Sequence, residues 1–575
     1  MIVAMSLLIT GALCAALLLA VVPLAHAAPP DPGLAAEIER FGTDDDALAR
    51  FYAVPRSEAA RARREQLLLG WEAHLAALPF DRLSPSAKID WLLLRGHLTH
   101  ERATLAFAHR REQETAPLLP FAETIVALEE ARAAMRPIEP ERAAADLARL
   151  TQAIIAAKKA LGEKTVKPEP TPSLALRAAG QVGALRSTLA GWFTYYDGYR
   201  PIFSWWCRTP YGAARDALEG YEKALREEIA GAKGKDDDPL IGDPIGRDAL
   251  LADLAYERVP YTPEELVAIA EREFAWCEAE MKTAARAMGK GDDWKAALEM
   301  VKNEHVPPGE QDVLVERQAR DAIAFVTKRD LVTIEPLCAE TWRIEMLSQE
   351  TQRVLPFAAY GGQKMLVSYP LEGMDDATKR MSLRGNNIHF TRIVTPHELI
   401  PGHHLQSYMA DRYRAYRQRF STPFLVEGWA LHWEMELWDR GYAESPQNRI
   451  GMLFWRMHRC ARIIVSLGFH LGTMTPPKMI EFLVERVGHE RFTATSEVRR
   501  FIGGAYSPLY QCAYMIGGLQ LRALENELVG QKGWSPKRFH DAVLHEGAIP
   551  IDLIDAALTG RALTRDSPPK RTRDL

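Results

Sequence analysis

The ten residues Thr395-Pro396-His397-Glu398-Leu399-Ile400-Pro401-Gly402-His403-His404 set three imidazoles and a carboxylate within eight positions, on a segment that must interrupt its own helix. Proline has no backbone N–H, and its ring collides with the carbonyl four residues back, here that of His397, so no straight helix runs through Pro401. Gly402 accepts backbone angles that other residues resist. The pair predicts a two-residue bulge that returns His403 to the face of His397. Deleting it in thought leaves His-Glu-Leu-Ile-His, whose histidines stand four apart on one face. The competitor is His404, seven residues after His397, which only an unbroken helix at about 3.6 residues per turn would bring back to that face.

Histidine and glutamate side chains are zinc ligands. A catalytic zinc takes nitrogen and oxygen donors at about 2.0–2.2 Å, three from the protein, and keeps a fourth position for water. His397 and His403 supply two donors, and Glu427, in Val426-Glu427-Gly428-Trp429-Ala430, is the candidate third. Glu434 lies seven residues beyond Glu427 on the same face, either as the partner of a ligating histidine or as the ligand itself. Gly428 leaves room for close helix approach and favours Glu427. Glu398 directly follows the first ligand, where a carboxylate can take a proton from water that the metal has acidified to a pKa of about 7. These residues predict a Zn2+-dependent hydrolase.

His-Glu-x-x-Pro-Gly-His-His followed by Glu-Gly-Trp-Ala resembles the bacterial domain of unknown function 885 family. Later segments resemble it too: Arg462-Ile463-Ile464-Val465 through Gly468-Phe469-His470, Pro508 to Tyr514-Met515-Ile516-Gly517, and Phe539-His540-Asp541 with Gly547-Ala548-Ile549-Pro550. The likeness covers most of the C-terminal half. That family is in turn similar to helical zinc peptidases such as thimet oligopeptidase and carboxypeptidase Taq. This implies a Glu on a second helix as third ligand, here Glu427, and short peptides as substrates. The chain departs from the family at Ser466, His432 and Pro508-Leu509-Tyr510, where Asp, Tyr and Pro-Gly-Gln are common; these bear on substrate preference more than on the metal.

The resemblance also points to groups that steady the oxyanion formed when water attacks a carbonyl, a task for a positioned hydroxyl or imidazole. Tyr514, at the family-like Tyr-x-x-Gly position, is the first candidate, and Tyr506 and Tyr510 share part of its face. His470, at the end of the Arg462 segment, is the second. Arg499 and Arg500 are candidates for holding a peptide's terminal carboxylate.

Away from the motif the pattern is helical. From Glu141 to Leu161, for example, Leu147, Leu150, Ile154 and Leu161 line one face. Thr262-Pro263-Glu264-Glu265 marks a helix start by its capping threonine, first-turn proline and acidic third residue. Around 231–238 the composition turns to glycine and charge, which divides the chain into a helical N-terminal lobe, 28–235, and a catalytic lobe, 236–575. The expected fold is mainly α: two helical lobes, zinc-peptidase-like, with a small β element beside the cleft. Ile388-His389-Phe390 is the candidate edge strand for binding extended peptide. The aromatic run from Trp192 to Trp206 is core or a wall of the cleft.

With 47% hydrophobic and 26% charged residues, the chain can bury a large core. Its net charge of −5, with both signs mixed throughout, offers no basic stripe for nucleic acid. The uncharged apolar run Met1 to Ala25, ending in Ala25-His26-Ala27, reads as a signal peptide over 1–27, with an uncleaved membrane anchor as the alternative. A periplasmic or secreted location follows. Cys207, Cys277, Cys338, Cys460 and Cys512 are scattered without close pairing, and Cys460 and Cys512 read as buried small hydrophobes. Two other readings stay open: a noncatalytic binding protein on the same fold, and a zinc hydrolase of other amides or esters.

Overall fold

The computed structural model describes residues 33–575 apart from 235–237, 353, 354, 356, 505, 573 and 574. The leader or anchor read over 1–27 lies outside the described residues. Among those described, no helix is long and apolar enough to cross a membrane.

Helices dominate, and their ends follow local chemistry. The helix Pro140–Gly162 buries Leu147, Leu150, Ile154 and Leu161, the face expected from the 3.6-residue period. The helix Pro263–Ala287 starts at a complete capping box, in which the Thr262 side chain accepts from the Glu265 N–H and the Glu265 carboxylate accepts from the Thr262 N–H. Proline at the first turn recurs at Pro85, Pro172, Pro423, Pro446 and Pro536, each preceded by a Ser or Thr whose hydroxyl accepts a backbone N–H.

Buried apolar side chains gather into two clusters. The smaller spans Leu118 to Ala230. The larger joins residues from Ile38 to Leu98 with residues from Leu250 to Leu563. The first described helices, Ala35–Phe51 and Glu58–Ala77, thus pack with the C-terminal half. The long helix Pro85–Thr115 leads from the larger cluster to the start of the smaller. The salt bridge of Arg417 with Asp90, both fully buried, ties the beginning of the chain to the segment after the metal motif.

The aromatic run from Trp192 to Trp206 belongs to the smaller cluster. Trp192, Phe193 and Tyr196 are buried there, whereas Trp205 is 73% exposed. The five described cysteines, Cys460 and Cys512 among them, are buried and free.

Among the described residues a three-stranded sheet interrupts the helices: β1 (Arg343–Met346), β2 (Ala358–Tyr360) and β3 (Lys364–Val367), in the order β1-β3-β2. β1 runs parallel to β3 and β2 antiparallel to it, with Ala359 opposite Leu366. β2 is therefore an edge strand. The segment Ile388-His389-Phe390, expected to be that edge, is instead the first turn of the helix Ile388–Glu398. The Asn387 side chain accepts from the N–H groups of His389 and Phe390 at 3.0 Å each and caps it. Three residues of strand-forming character do not outweigh a well-placed cap.

Candidate metal centre

The first motif helix, Ile388–Glu398, stops where the proline demands. Leu399 leaves helical angles, the Ile400-Pro401 peptide bond is cis, and a second helix, His403–Ala410, begins after Gly402. The Gly402 N–H bonds the Pro396 carbonyl at 3.0 Å, which folds the interruption back against the first helix. A Cβ built on Gly402 would lie 1.8 Å from the His397 carbonyl oxygen, so only glycine fits. Across the gap, the Trp429 indole N–H donates to the Pro401 carbonyl at 2.9 Å and pins the turn to the helix Pro423–Asp439, which carries Glu427.

The interruption brings His397 and His403 together with their rings nearly perpendicular and 4.9 Å apart. Glu427 Oε2 lies 3.3 Å from His403 Nε2 and 3.6 Å from His397 Nε2, and all three residues are buried. Ligands at about 2.0–2.1 Å around a tetrahedral ion stand roughly 3.3 Å from one another. The carboxylate oxygen thus stands at coordination-sphere separations from both imidazoles, and the three donor atoms lie within 4.8 Å of one another. Glu427 Oε2 has no hydrogen-bond partner among the described residues, although the large majority of buried side-chain polar atoms have one. The residues fit a divalent metal.

Supporting groups fix the donors. Glu434 Oε1 lies 2.7 Å from His397 Nδ1; accepting that N–H leaves the Nε2 lone pair for the metal. This places Glu434 to orient the His397 ring from its Nδ1 side, away from the Nε2 that faces Glu427. The Tyr510 hydroxyl donates to Glu427 Oε1, which leaves Oε2 turned to the imidazoles. His404 faces elsewhere: its Nε2 is 3.0 Å from the Cys338 carbonyl and its Nδ1 3.4 Å from the Tyr360 hydroxyl. The interrupted helix thus carries His403 to the cluster and turns His404 away.

Electrostatics match this arrangement. Burial opposes a charged His397 imidazole, but the Glu427 carboxylate beside it and the hydrogen bond to Glu434 outweigh it and raise its pKa to about 9. Burial likewise opposes a charged Glu427, yet His403 and His397 hold its carboxyl well below the usual range. Without a metal, the cluster holds a proton that a cation would replace.

The cluster opens on a cavity of about 200 Å³ whose lining includes Glu398, Ala358 to Tyr360 of β2, Arg459, Arg462 and Arg500, Glu497, and Tyr506, Tyr510 and Tyr514. Glu398 lines the same cavity as the three donors. The Tyr514 ring lies nearly parallel to that of His397 at 6.1 Å, and the guanidiniums of Arg459 and Arg462 each lie 4.7 Å from its centre.

His470 is not there. It ends the helix Pro446–His470, eight residues past Arg462, so at about 1.5 Å per residue it lies some 12 Å further along the axis. It is buried, neither ring nitrogen has a partner among the described residues, and burial pushes its pKa down to about 4. Arg499 does not line the cavity, whereas Arg500 does.

Sequence reasoning did not single out Arg459 and Arg462. Arg462 donates to Glu497 at 2.7 Å and Arg459 approaches Glu434 at 3.4 Å. The signal was available, since Arg456, Arg459 and Arg462 recur every three residues in a helix otherwise rich in apolar residues, and buried cations need a reason.

Two solved structures share the fold. One, described as "a putative lipoprotein of unknown function" from Shewanella oneidensis, superposes with a TM-score of 0.67 at 19% identity, covering 93% of this chain and all (100%) of that one. The other, a "putative lipoprotein" from Colwellia psychrerythraea, gives 0.57 at 16% identity, covering 92% of this chain and 98% of that one. No curated protein matches the chain. The model of the bacterial protein family of unknown function DUF885 matches residues 40–558, nearly the whole described chain, and the protein belongs to that family.

Proposed function

We propose that this protein is a zinc-dependent peptidase that hydrolyses short peptides outside the cytoplasm. The observation that carries the reading is the convergence of His397, His403 and Glu427 within 4.8 Å of one another, with Glu398 on the same cavity wall. Zinc held by these three residues would supply a Lewis acid that acidifies water and polarises the scissile carbonyl.

The chain's own groups divide the remaining work. Glu398 takes the proton from the attacking water and returns it to the leaving amine. The Tyr514 hydroxyl donates to the oxyanion, while Tyr510 holds Glu427 in place. The outer edge of β2, whose three residues line the cavity, accepts an extended peptide by main-chain hydrogen bonding. Arg462 Nη1 is buried without a partner among the described residues, and with Arg500 it suits a terminal carboxylate. The lipoprotein descriptions of both structural neighbours and the apolar N-terminal run support an extracytoplasmic or membrane-associated location.

The test is cleavage of a mixed peptide library by the zinc-loaded full chain, with every cut located by mass spectrometry and each peptide supplied with a free and an amidated C-terminus. Wild-type protein is expected to cut the free peptides. Glu398→Gln is expected to lose about 10²–10⁴-fold in turnover while keeping its zinc. No cuts by the zinc-loaded wild type, or equal turnover by Glu398→Gln, would overturn the reading. Cutting of esters or non-peptide amides alone would move the substrate class.

A further inference from the structure

We infer that the chain holds a second divalent metal, structural in character, between His432, His540 and Glu525. His432 belongs to the helix Pro423–Asp439, Glu525 ends the helix Tyr510–Glu525, and His540 sits on Pro536–His545. His432 Nε2 lies 3.0 Å from His540 Nε2 and 3.8 Å from Glu525 Oε2, and the three donor atoms all fall within 4.8 Å of one another. These separations bracket the roughly 3.3 Å expected between ligands of a tetrahedral ion.

The hydrogen-bond inventory points the same way. His540 Nδ1 lies 2.8 Å from the Leu331 carbonyl, an acceptor only, so Nδ1 carries the proton and the Nε2 lone pair faces His432. If His432 is protonated on Nδ1, two lone pairs oppose each other across 3.0 Å. If it is protonated on Nε2, that hydrogen serves His540, and the buried Nδ1 lone pair finds no donor among the described residues. A cation takes both Nε2 lone pairs at once, with the His432 proton on Nδ1, for which the described residues offer no acceptor. Glu525 also shares a hydrogen bond with Glu436, and the two arginines whose charges act on it are engaged elsewhere, Arg440 by Glu436 Oε2 at 2.6 and 2.8 Å and Arg522 by Asp439 at 2.7 Å. Among the described residues the ion pair of Glu525 is with His432, at 3.8 Å.

The surroundings suit a structural ion. His432 and His540 are 1% and 0% exposed, and Trp433 stacks on the His540 ring at 4.4 Å. Burial of this kind shuts out substrate and favours neutral imidazole, the form that ligates. The ion would tie together the helix that carries Glu427 and the helix that carries Tyr510 and Tyr514, and so hold the walls of the first site.

Metal content of the full chain, loaded with zinc alone, dialysed and measured by plasma mass spectrometry, tests this. About two equivalents are expected in the wild type, about one in Glu427→Gln and about one in His432→Phe or Glu525→Gln. Thermal unfolding and far-UV circular dichroism show whether each variant folds. Using both His432→Phe and Glu525→Gln, on different helices, keeps the test open if one does not. One equivalent in the wild type that vanishes with Glu427→Gln and persists in the other two would overturn the second site and spare the first. One equivalent that persists in Glu427→Gln and vanishes in the other two would support the second site and overturn the first. Absence of retained zinc from folded wild type would overturn both.

Discussion

Replacing Gly402 by alanine should abolish zinc binding at the His397 cluster while leaving the helical fold in place. The built Cβ would lie 1.8 Å from the His397 carbonyl oxygen, 2.5 Å from its carbon and 2.6 Å from the Pro396 carbonyl oxygen. A non-bonded carbon and oxygen settle at about 3.2 Å or beyond, so the turn must open by about 1.4 Å or more. It has little freedom to do so, because Trp429 holds Pro401 and the Gly402 N–H holds Pro396. The displacement falls on His403, the next residue, whose Nε2 lies 3.3 Å from Glu427. Zinc sites tolerate about 0.2 Å in ligand distance, so a shift several times larger removes a ligand. Loss of one ligand should cost more than the 10–100-fold that follows loss of an orienting partner. Zinc titration of Gly402→Ala against a competing chelator, with circular dichroism as the control for folding, measures this. Wild-type zinc affinity in a folded Gly402→Ala protein would refute the claim that this interruption sets the metal geometry.

Three further outcomes follow from the same geometry. Glu434→Gln removes the carboxylate on His397 Nδ1 and should weaken zinc by about 10–100-fold in the same titration, with secondary structure unchanged. Metal-free His397 has a pKa raised to about 9 from an ordinary 6.5, so its contribution to stability is complete below about 6.5 and fades as pH rises through 9. The apparent zinc affinity should move the opposite way, climbing about tenfold per pH unit until about 9 as the displaced proton becomes easier to remove; an affinity that is flat across this range would contradict it. Gly517→Ala would set a Cβ 1.9 Å from the Phe424 carbonyl oxygen and push the Glu427 helix from the Tyr510–Glu525 helix. Unfolding by denaturant should show a loss of about 1–3 kcal/mol or more, and an unchanged midpoint would mean the two backbones are not in contact.

Local features were legible in the chain because they depend on neighbours in sequence. The apolar face of Pro140–Gly162, the capping box at Thr262 and the break at Pro401-Gly402 are set by spacing, by one hydroxyl and by one missing N–H. The same logic failed at Ile388-His389-Phe390, where two apolar residues flanking a histidine read as strand until Asn387 caps them into a helix. It failed again at His470, whose position in a motif carries no information about which end of a 25-residue helix meets the cavity.

The sequence alone determined that a helix must break between two histidines and that a glutamate follows the first. Only tertiary structure decided which donors meet. Glu427 and Glu434 occupy one helix face and are chemically alike; that Glu427 reaches the Nε2 side and Glu434 the Nδ1 side depends on how the helix Pro423–Asp439 crosses the first motif helix. His432, Glu525 and His540 stand far apart in the chain, and Arg459 and Arg462 lie on a different helix from the tyrosine they flank. Periodicity reports the face a residue occupies on its own element, whereas packing of distant elements fixes what that face meets.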